Sequence, residues 1–332
     1  MIRFAFVLLL APLVGKAAPC IAAAPNCTEW VTFSSGPARS LLYRTYSLES
    51  KNPAITRAFI LIHGASRDAD NYFRTAVAAA FLGDALENTI VISPRFASND
   101  GRGCRDSLAQ GEVNWSCNGD SWRSGGTSPS YDNLTSYDFA DEILRKLARK
   151  DVFPNLKAIV VAGHSAGGQF VTRYEMANKV HDTLGVPITY VVANPSSYAY
   201  LDAMRPNAEG AEVRAFSDAR NCTTYDRWPY GLENRTGYTA KIPDDVLKKQ
   251  LAVRPTTYLL GEIDILPLGG FDSSCPAMAQ GPTRRARGEA FAKYIASKYG
   301  AQHKVTVVTL CGHNARCMFT SEQALPIVFP KQ

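Results

Sequence analysis

The chain has 332 residues, of which 46% are hydrophobic and only 20% charged, and its formal net charge is +6. These values exclude a disordered chain, a collagen and a coiled coil, because the apolar fraction is large enough to build a sizeable core. The basic surplus is too small and too scattered to favour nucleic-acid binding. Its densest run, Arg284-Arg285-Ala286-Arg287, is interpreted as the solvated face of a helix.

The first 17 residues have the pattern of a secretory signal peptide. A short basic start is followed by an apolar run at 4–14 and a small-residue cleavage site at 15–17. The apolar run is too short to span a bilayer, which takes about twenty residues. We therefore expect a mature chain of residues 18–332 that is secreted or periplasmic and has no integral membrane span.

Beyond that segment, buried strands alternate with amphipathic helices. Continuous apolar runs predict strands at 58–62, 89–93, 158–162, 188–193, 256–260 and 305–310. The three-and-four spacing of apolar residues and the flanking sequence predict helices at 71–81, 137–150, 167–180, 244–251 and 283–299. Strands that are apolar on both faces and separated by helices favour a mostly parallel sheet covered on each side. The predicted fold class is α/β.

All eight cysteines follow residue 17, and an even number suits an oxidising compartment. The candidates for up to four disulfides are Cys20, Cys27, Cys104, Cys117, Cys222, Cys275, Cys311 and Cys317. Short spacing favours the pairs Cys20–Cys27, Cys104–Cys117 and Cys311–Cys317, and Cys222 and Cys275 then remain. Spacing alone leaves this connectivity open.

Two long segments, 97–133 and 202–254, do not fit the strand-helix rhythm, and such segments are often functional. The second holds Tyr225, Trp228 and Tyr230, which we treat as candidate residues of a substrate wall. The alternative is that the aromatic residues of either segment, with Trp115 and Trp122 in the first, pack the loop onto the body of the protein. Because no linker or repeat divides the chain, we interpret both segments as loops inserted in one catalytic domain.

One pentapeptide carries the predicted chemistry. Gly163-His164-Ser165-Ala166-Gly167 follows the strand at 158–162 and leads directly into a helix. A nucleophile elbow needs such a sharp strand-to-helix turn, with small residues around a serine in a strained backbone conformation. Ser165 is therefore the candidate nucleophile.

A serine nucleophile needs a general base, which we sought among the five histidines. His313 follows the last predicted strand and is the candidate. His63 ends the first strand and is assigned to an oxyanion loop, and His164 is expected to point away from the reaction face. His181 and His303 lie near helix ends among charged residues and are interpreted as solvated.

The acid of the triad is expected on the segment that leaves the strand at 256–260. This segment offers two carboxylates, Glu262 and Asp264. Asp264 is preferred because it lies further beyond the strand end, where it can turn toward the imidazole, but the choice stays open at this point. Its alternative interpretation is a loop-capping aspartate.

Metal and cofactor sites have no support in the sequence, so none is predicted. The chain has no His-Glu-x-x-His and no Cys-x-x-Cys pair. No Gly-x-Gly-x-x-Gly follows a strand, which argues against a dinucleotide cofactor.

With these motifs the chain resembles serine hydrolases of the α/β-hydrolase superfamily, in which the triad follows the order Ser165, Asp264, His313. It is most similar there to secreted esterases and polymer depolymerases. The resemblance implies an α/β-hydrolase fold, an oxyanion hole from the N–H groups of Ala65 and Ala166, and a contribution from the Ser66 hydroxyl. Ser66 is also a candidate residue of the substrate wall.

The same resemblance implies a function. We expect ester hydrolysis through an acyl-enzyme on Ser165, with a small-molecule or polymeric ester as substrate, as in carboxylesterases and polyester or aryl-ester depolymerases. One alternative is a C–C hydrolase that acts on β-diketones such as oxidised poly(vinyl alcohol). A second is a hydrolase-fold protein that binds a partner without catalysis.

Overall fold

A computed structural model describes residues 18–33, 36–101, 103–118, 121–207, 210 and 212–331. The predicted signal peptide, residues 1–17, lies outside the described residues. Within the described ranges, no helix is both long enough and apolar enough to cross a membrane.

The centre of the molecule is an eight-stranded sheet with the strand order β1-β2-β4-β3-β5-β6-β9-β10. Its strands are β1 (Thr28–Thr32), β2 (Arg39–Arg44), β3 (Arg57–Ile62), β4 (Thr89–Pro94), β5 (Ala158–His164), β6 (Ile188–Ala193), β9 (Thr256–Gly261) and β10 (Lys304–Val308). Strand β2 is antiparallel to β1 and β4, and all other neighbours are parallel. A separate hairpin pairs β7 (Met204–Pro206) with β8 (Val213–Ala215).

Helices cover both faces of this sheet, so the predicted α/β class is confirmed. The helices are α1 (Ala69–Leu82), α2 (Ser136–Leu147), α3 (Ala166–Ala177), α4 (Asp244–Val253), α5 (Cys275–Met278), α6 (Arg284–Tyr299), α7 (Ala315–Phe319) and α8 (Leu325–Val328). Alternate residues of β3 point to opposite faces: Ile60 joins the core formed with α2, α3, α4 and α6, and Phe59 joins the core formed with α1, α7 and α8.

Every predicted strand and helix is present, with ends shifted by a few residues. The largest differences at strand ends are two residues: β5 ends at His164 rather than at residue 162, and β10 ends at Val308 rather than at residue 310. Strands β1 and β2 were not predicted. Most of their residues are exposed or half-exposed. Such strands do not need a long apolar run, which was the pattern used to predict the other strands.

The two irregular segments differ in content. Residues 97–133 contain Trp115 and Trp122, which are buried and pack on Phe96. The segment is thus held on the body by its aromatic side chains, as the alternative interpretation expected. Residues 202–254 contain the β7–β8 hairpin and α4.

Four disulfides are formed in the structure: Cys20–Cys27, Cys104–Cys117, Cys222–Cys275 and Cys311–Cys317. They include the three short-range pairs that spacing favoured and the pair that remained. Cys222–Cys275 ties the segment 202–254 to α5, and Cys311–Cys317 closes a short loop around His313.

Candidate active site

The pentapeptide forms the predicted elbow between β5 and α3. Ser165 lies between the two elements with φ 59° and ψ −119°, a backbone conformation that is strained for a residue with a side chain. The elbow is possible because its glycines let backbone segments approach closely. A β-carbon at Gly167 would lie 2.2 Å from the Ile62 carbonyl oxygen, and one at Gly163 would lie 2.2 Å from the Gly167 carbonyl oxygen.

This close approach leads to a stability prediction for Gly167→Ala. The added methyl group would meet the backbone of β3, which cannot move aside as a side chain can, so we expect a loss of about 3 kcal/mol in the free energy of unfolding. Urea unfolding measures this loss. The control is Gly185→Ala, where φ is +67° but no atom lies within 4 Å of the added carbon, and its expected cost is about 1 kcal/mol. Equal losses in the two variants would contradict the prediction.

The three predicted triad residues lie in one hydrogen-bonded chain. His313 Nε2 is 2.9 Å from Ser165 Oγ, and His313 Nδ1 is 2.9 Å from Asp264 Oδ2. The serine is partly exposed, whereas the aspartate is buried. This geometry lets the imidazole accept the hydroxyl proton on one side while the carboxylate holds its other nitrogen.

Of the two candidate acids, the structure brings Asp264 to the imidazole. Glu262 instead accepts a hydrogen bond from the Leu310 N–H at 2.8 Å, on the neighbouring loop. Glu262 and Asp264 both follow the end of β9, but because they are two residues apart, their side chains reach different partners.

Arg284 is a residue of this site that sequence reasoning missed. It lies at the start of α6, is fully buried, and contacts Asp264 Oδ1 at 3.3 Å. It also donates to the Ser196 hydroxyl and to the carbonyl oxygens of Leu268 and Gly269. The guanidinium therefore fixes both the acid and the loop that follows it.

The interpretation of the run 284–287 as a solvated face is wrong for two of its three arginines. Arg284 and Arg287 are fully buried, and only Arg285 is partly exposed. Their burial is possible because backbone carbonyls accept hydrogen bonds from the guanidinium groups. For Arg287 these include the carbonyls of Gly281 and Asp272.

Asn194, at the end of β6, is a second residue that the prediction left without a role. Its side-chain oxygen accepts a hydrogen bond from the Gly261 N–H at 2.8 Å, and its amide nitrogen donates to the Gly312 carbonyl at 3.1 Å. One side chain therefore joins the loops that carry Asp264 and His313. The signal available in the sequence was a polar residue directly after a buried strand, and in the structure this residue has a positive φ of 46°.

His164 does not point away from the reacting groups as predicted. Its ring centroid lies 4.6 Å from that of His313, and its Nδ1 is 3.1 Å from the Tyr72 hydroxyl. Complete burial, with the nearby His313 as a smaller cause, holds the pKa of His164 well below its usual value. The ring is therefore neutral, and it forms a wall beside the imidazole of His313.

His181 and His303 are not solvated either. Each is half-buried and hydrogen bonded to a tyrosine hydroxyl, Tyr190 for His181 and Tyr258 for His303. His303 precedes β10, at the opposite end of the sheet from the triad.

The loop after β3 carries the predicted oxyanion donor Ala65. His63 Nε2 accepts the Phe96 N–H at 3.0 Å, so its Nδ1 holds the proton and donates to the Gly64 carbonyl at 2.9 Å. This pair of bonds fixes the peptide next to Ala65. The other predicted donor, Ala166, is the first residue of α3, and its N–H therefore has no acceptor within the helix.

The buried His63 predicts a pH dependence of stability. Burial lowers the pKa of His63 from 6.5 to about 4, with a smaller opposing effect of its bond to Gly64. Between these values the unfolded chain binds more protons than the folded one, so stability falls as pH falls. The full contribution is present above pH 6.5, and about 3 kcal/mol is lost on reaching pH 4.

Comparison with His63→Asn isolates this contribution, because every other titrating group is shared. Chemical unfolding of both proteins at pH 7 and pH 4 gives the difference in free energy of unfolding, wild type minus variant, at each pH. We expect this difference to be about 3 kcal/mol smaller at pH 4 than at pH 7. A difference between the two proteins that is the same at both pH values would contradict the assignment.

Ser165 and His313 open onto a cavity of about 860 Å³. Its wall is about half polar and half apolar in area. Besides Ser165, His313 and His164, the polar and charged side chains that line it are Ser66, Arg67, Asp68, Asn71, Tyr72, Thr75, Asn314 and Arg316. Ser66 is thus at the predicted wall. Tyr225, Trp228 and Tyr230 are not among the described residues that line this cavity: Trp228 donates to the Ser124 carbonyl, and Tyr230 donates to Asp272.

Among the residues that the structure describes, one group has the composition of a metal site. Asp100, Cys104 and Cys117 have ligand atoms within 4.8 Å of one another. The two cysteines are joined in a disulfide, so neither offers a thiolate.

Comparison with known proteins gives one matching family and several solved structures of similar fold. A family model described as the alpha/beta hydrolase family matches residues 59–325. Among solved structures, LpqC, a poly(3-hydroxybutyrate) depolymerase from Bordetella parapertussis, is 20% identical with a TM-score of 0.62, over 89% of this chain and 85% of that one. Poly(aspartic acid) hydrolase-1 from Sphingomonas sp. KT-1 is 21% identical with a TM-score of 0.63, over 91% and 97%. No curated protein sequence matches the chain significantly.

Proposed function

The chain belongs to the alpha/beta hydrolase family, and from that premise we propose that it is a secreted serine hydrolase that cleaves ester bonds through an acyl-enzyme on Ser165. The observation that carries the proposal is the hydrogen-bonded chain Ser165–His313–Asp264 at the floor of an open cavity. Its four disulfides suit an oxidising compartment.

In the acylation step, Ser165 Oγ attacks the ester carbonyl carbon while His313 Nε2 takes the hydroxyl proton. The imidazolium that forms is stabilised by the carboxylate of Asp264. The carbonyl oxygen becomes an oxyanion, which would accept hydrogen bonds from the N–H groups of Ala65 and Ala166. His313 then gives its proton to the alcohol oxygen as the C–O bond breaks.

Deacylation repeats the sequence with water. His313 removes a proton from water, which attacks the acyl-enzyme, and then returns that proton to Ser165 Oγ as the acid leaves. The substrate classes that suit this chemistry are carboxylesters, polyesters and aryl esters. The names of the two structural relatives, a depolymerase and a polymer hydrolase, are compatible with a polymeric substrate.

Labelling with a fluorophosphonate probe tests the nucleophile. We expect stoichiometric labelling of the native protein, with the label on the tryptic peptide that contains Ser165, and no labelling after heat denaturation. A folded chain that is not labelled would favour the hydrolase-fold binding protein without catalysis.

A substrate panel tests the bond that is cleaved. It contains p-nitrophenyl esters of rising chain length, aromatic esters and a β-diketone. Release of nitrophenol with acyl transfer to hydroxylamine supports the ester hydrolase. Cleavage of the β-diketone in the absence of any ester hydrolysis would instead assign a C–C hydrolase.

A further inference from the structure

Apolar side chains are exposed beside the candidate active site. The loop after β9 exposes Ile263 (53%), Ile265 (50%), Leu266 (56%) and Leu268 (62%), and the loop after β10 exposes Leu310 (82%). We call these five residues the rim patch. Single exposed apolar residues are ordinary, but several on adjoining loops are typical of a contact surface.

The rim patch adjoins the cavity that opens onto Ser165. Gly269 and Gly270, which follow Leu268 directly, line that cavity. A β-carbon at Gly269 would lie 3.4 Å from His313 Cδ2. The loops after β9 and β10 are joined by a hydrogen bond from the Ile263 N–H to the Cys311 carbonyl. The patch and the reacting groups are therefore parts of one surface.

Leu310 is an unfavourable residue at its position, both in its backbone conformation and in the exposure of its side chain. Its φ is +57°, a left-handed conformation that favours glycine and asparagine over a bulky residue. Its side chain gains almost no burial in return. Asparagine would suit this backbone better, so the leucine is best explained by a contact outside the chain.

The patch is also held in place from below. Buried Arg284 donates to the carbonyl oxygens of Leu268 and Gly269, and it contacts Asp264. The apolar side chains therefore project from a fixed loop, and a rigid surface adsorbs with a smaller entropy cost than a mobile one.

The cavity itself points to the chemistry of the occupant. About half of its wall is apolar in area, but polar and charged side chains such as Arg67, Asp68 and Asn71 interrupt the apolar surface, so the wall does not suit a long alkyl chain. A chain of short aliphatic units with frequent ester groups would suit it, while its bulk phase would be apolar enough to contact the patch.

We propose that the rim patch adsorbs the protein to the surface of a solid aliphatic polyester, so that chains from that surface enter the cavity at Ser165. The inference rests on the proposed ester hydrolysis and goes beyond it, because it assigns binding residues and a physical form of the substrate.

The experiment uses Leu310→Asn and the double variant Leu266→Ser/Leu268→Ser, with Phe81→Ser as the matched control. Phe81 is 71% exposed at the far end of α1, about 14 Å along the helix from Tyr72. Adsorption is measured by depletion from solution onto poly(3-hydroxybutyrate) film. The hydrolysis rate of the film is divided by that of p-nitrophenyl butyrate.

We expect each rim variant to lower the film adsorption constant at least tenfold, about 1.4 kcal/mol, and to lower the film-to-soluble rate ratio in parallel. Phe81→Ser should change neither quantity. Leu310→Asn should unfold at the same temperature as wild type or higher, which separates lost adsorption from lost stability.

Three results would overturn the inference. The first is equal film adsorption by wild type and rim variants. The second is equal loss in Phe81→Ser. The third is a change of oligomeric state, or of binding to phosphatidylcholine vesicles, in the rim variants without a change on the film, which would assign the patch to a second copy or a membrane. Failure of the proposed function is distinct, because it would abolish hydrolysis of the soluble ester and fluorophosphonate labelling in wild type.

Discussion

Ser165→Ala is expected to lower kcat on a soluble ester by about 10⁶-fold. The methyl group cannot attack the carbonyl, and the residual rate would come from the oxyanion donors and from binding alone. Because alanine keeps the β-carbon of the elbow, the variant should fold as wild type does. Steady-state rates on p-nitrophenyl butyrate and the circular dichroism spectrum measure the two expectations.

The control for this variant is a non-additivity test. His313→Ala alone should cost about as much as Ser165→Ala, and the double variant should cost little more, because the two residues act as one unit. Additive losses, or a Ser165→Ala protein that keeps more than a hundredth of the wild-type rate, would contradict the assigned nucleophile.

Asp264→Asn is expected to lower kcat by about 10⁴-fold. The amide can donate to His313 Nδ1 and thereby favours the wrong tautomer, with Nε2 protonated and unable to take the proton of Ser165. It also cannot stabilise the imidazolium by charge. Pre-steady-state acylation measured with p-nitrophenyl acetate should show the loss in the first turnover.

Glu262→Gln is the matched control for the acid. Glu262 leaves the same strand, and its carboxylate accepts the Leu310 N–H, a bond that the glutamine side chain can also accept, so the rate should change by no more than a few-fold. A larger loss in Glu262→Gln than in Asp264→Asn would reverse the assignment. Thermal unfolding of both variants is needed, because Asp264→Asn leaves buried Arg284 without its counter-charge.

The parts of the fold that sequence could predict are those that apolar runs encode. Strand β5 and helix α3 followed from such patterns, and with them the position of Ser165. Strand β1 could not be recognised, because an edge strand with one face near solvent has no continuous apolar run. The order of the strands in the sheet depends on long-range pairing, which no local pattern carries.

The candidate site was predictable to the extent that its residues follow strand ends. Asp264 and His313 were found because the carboxyl ends of parallel strands meet at one edge of the sheet. Arg284 was missed because a charged run is normally solvated, and only the tertiary fold supplies the carbonyl groups that satisfy it. Tyr230 was placed at a substrate wall from its aromatic character, whereas its hydroxyl bonds to Asp272.

Under the proposed function, the Cys311–Cys317 disulfide would link the order of the active site to the redox state of the compartment. It closes the loop that bears His313, and a reducing cytoplasm would keep it open. A chain still in that compartment would therefore hold its candidate base on a loop with greater freedom than in the oxidised protein. Under the proposed function, oxidation of this one pair of cysteines would fix the base in position only after the chain has left the compartment where it is made.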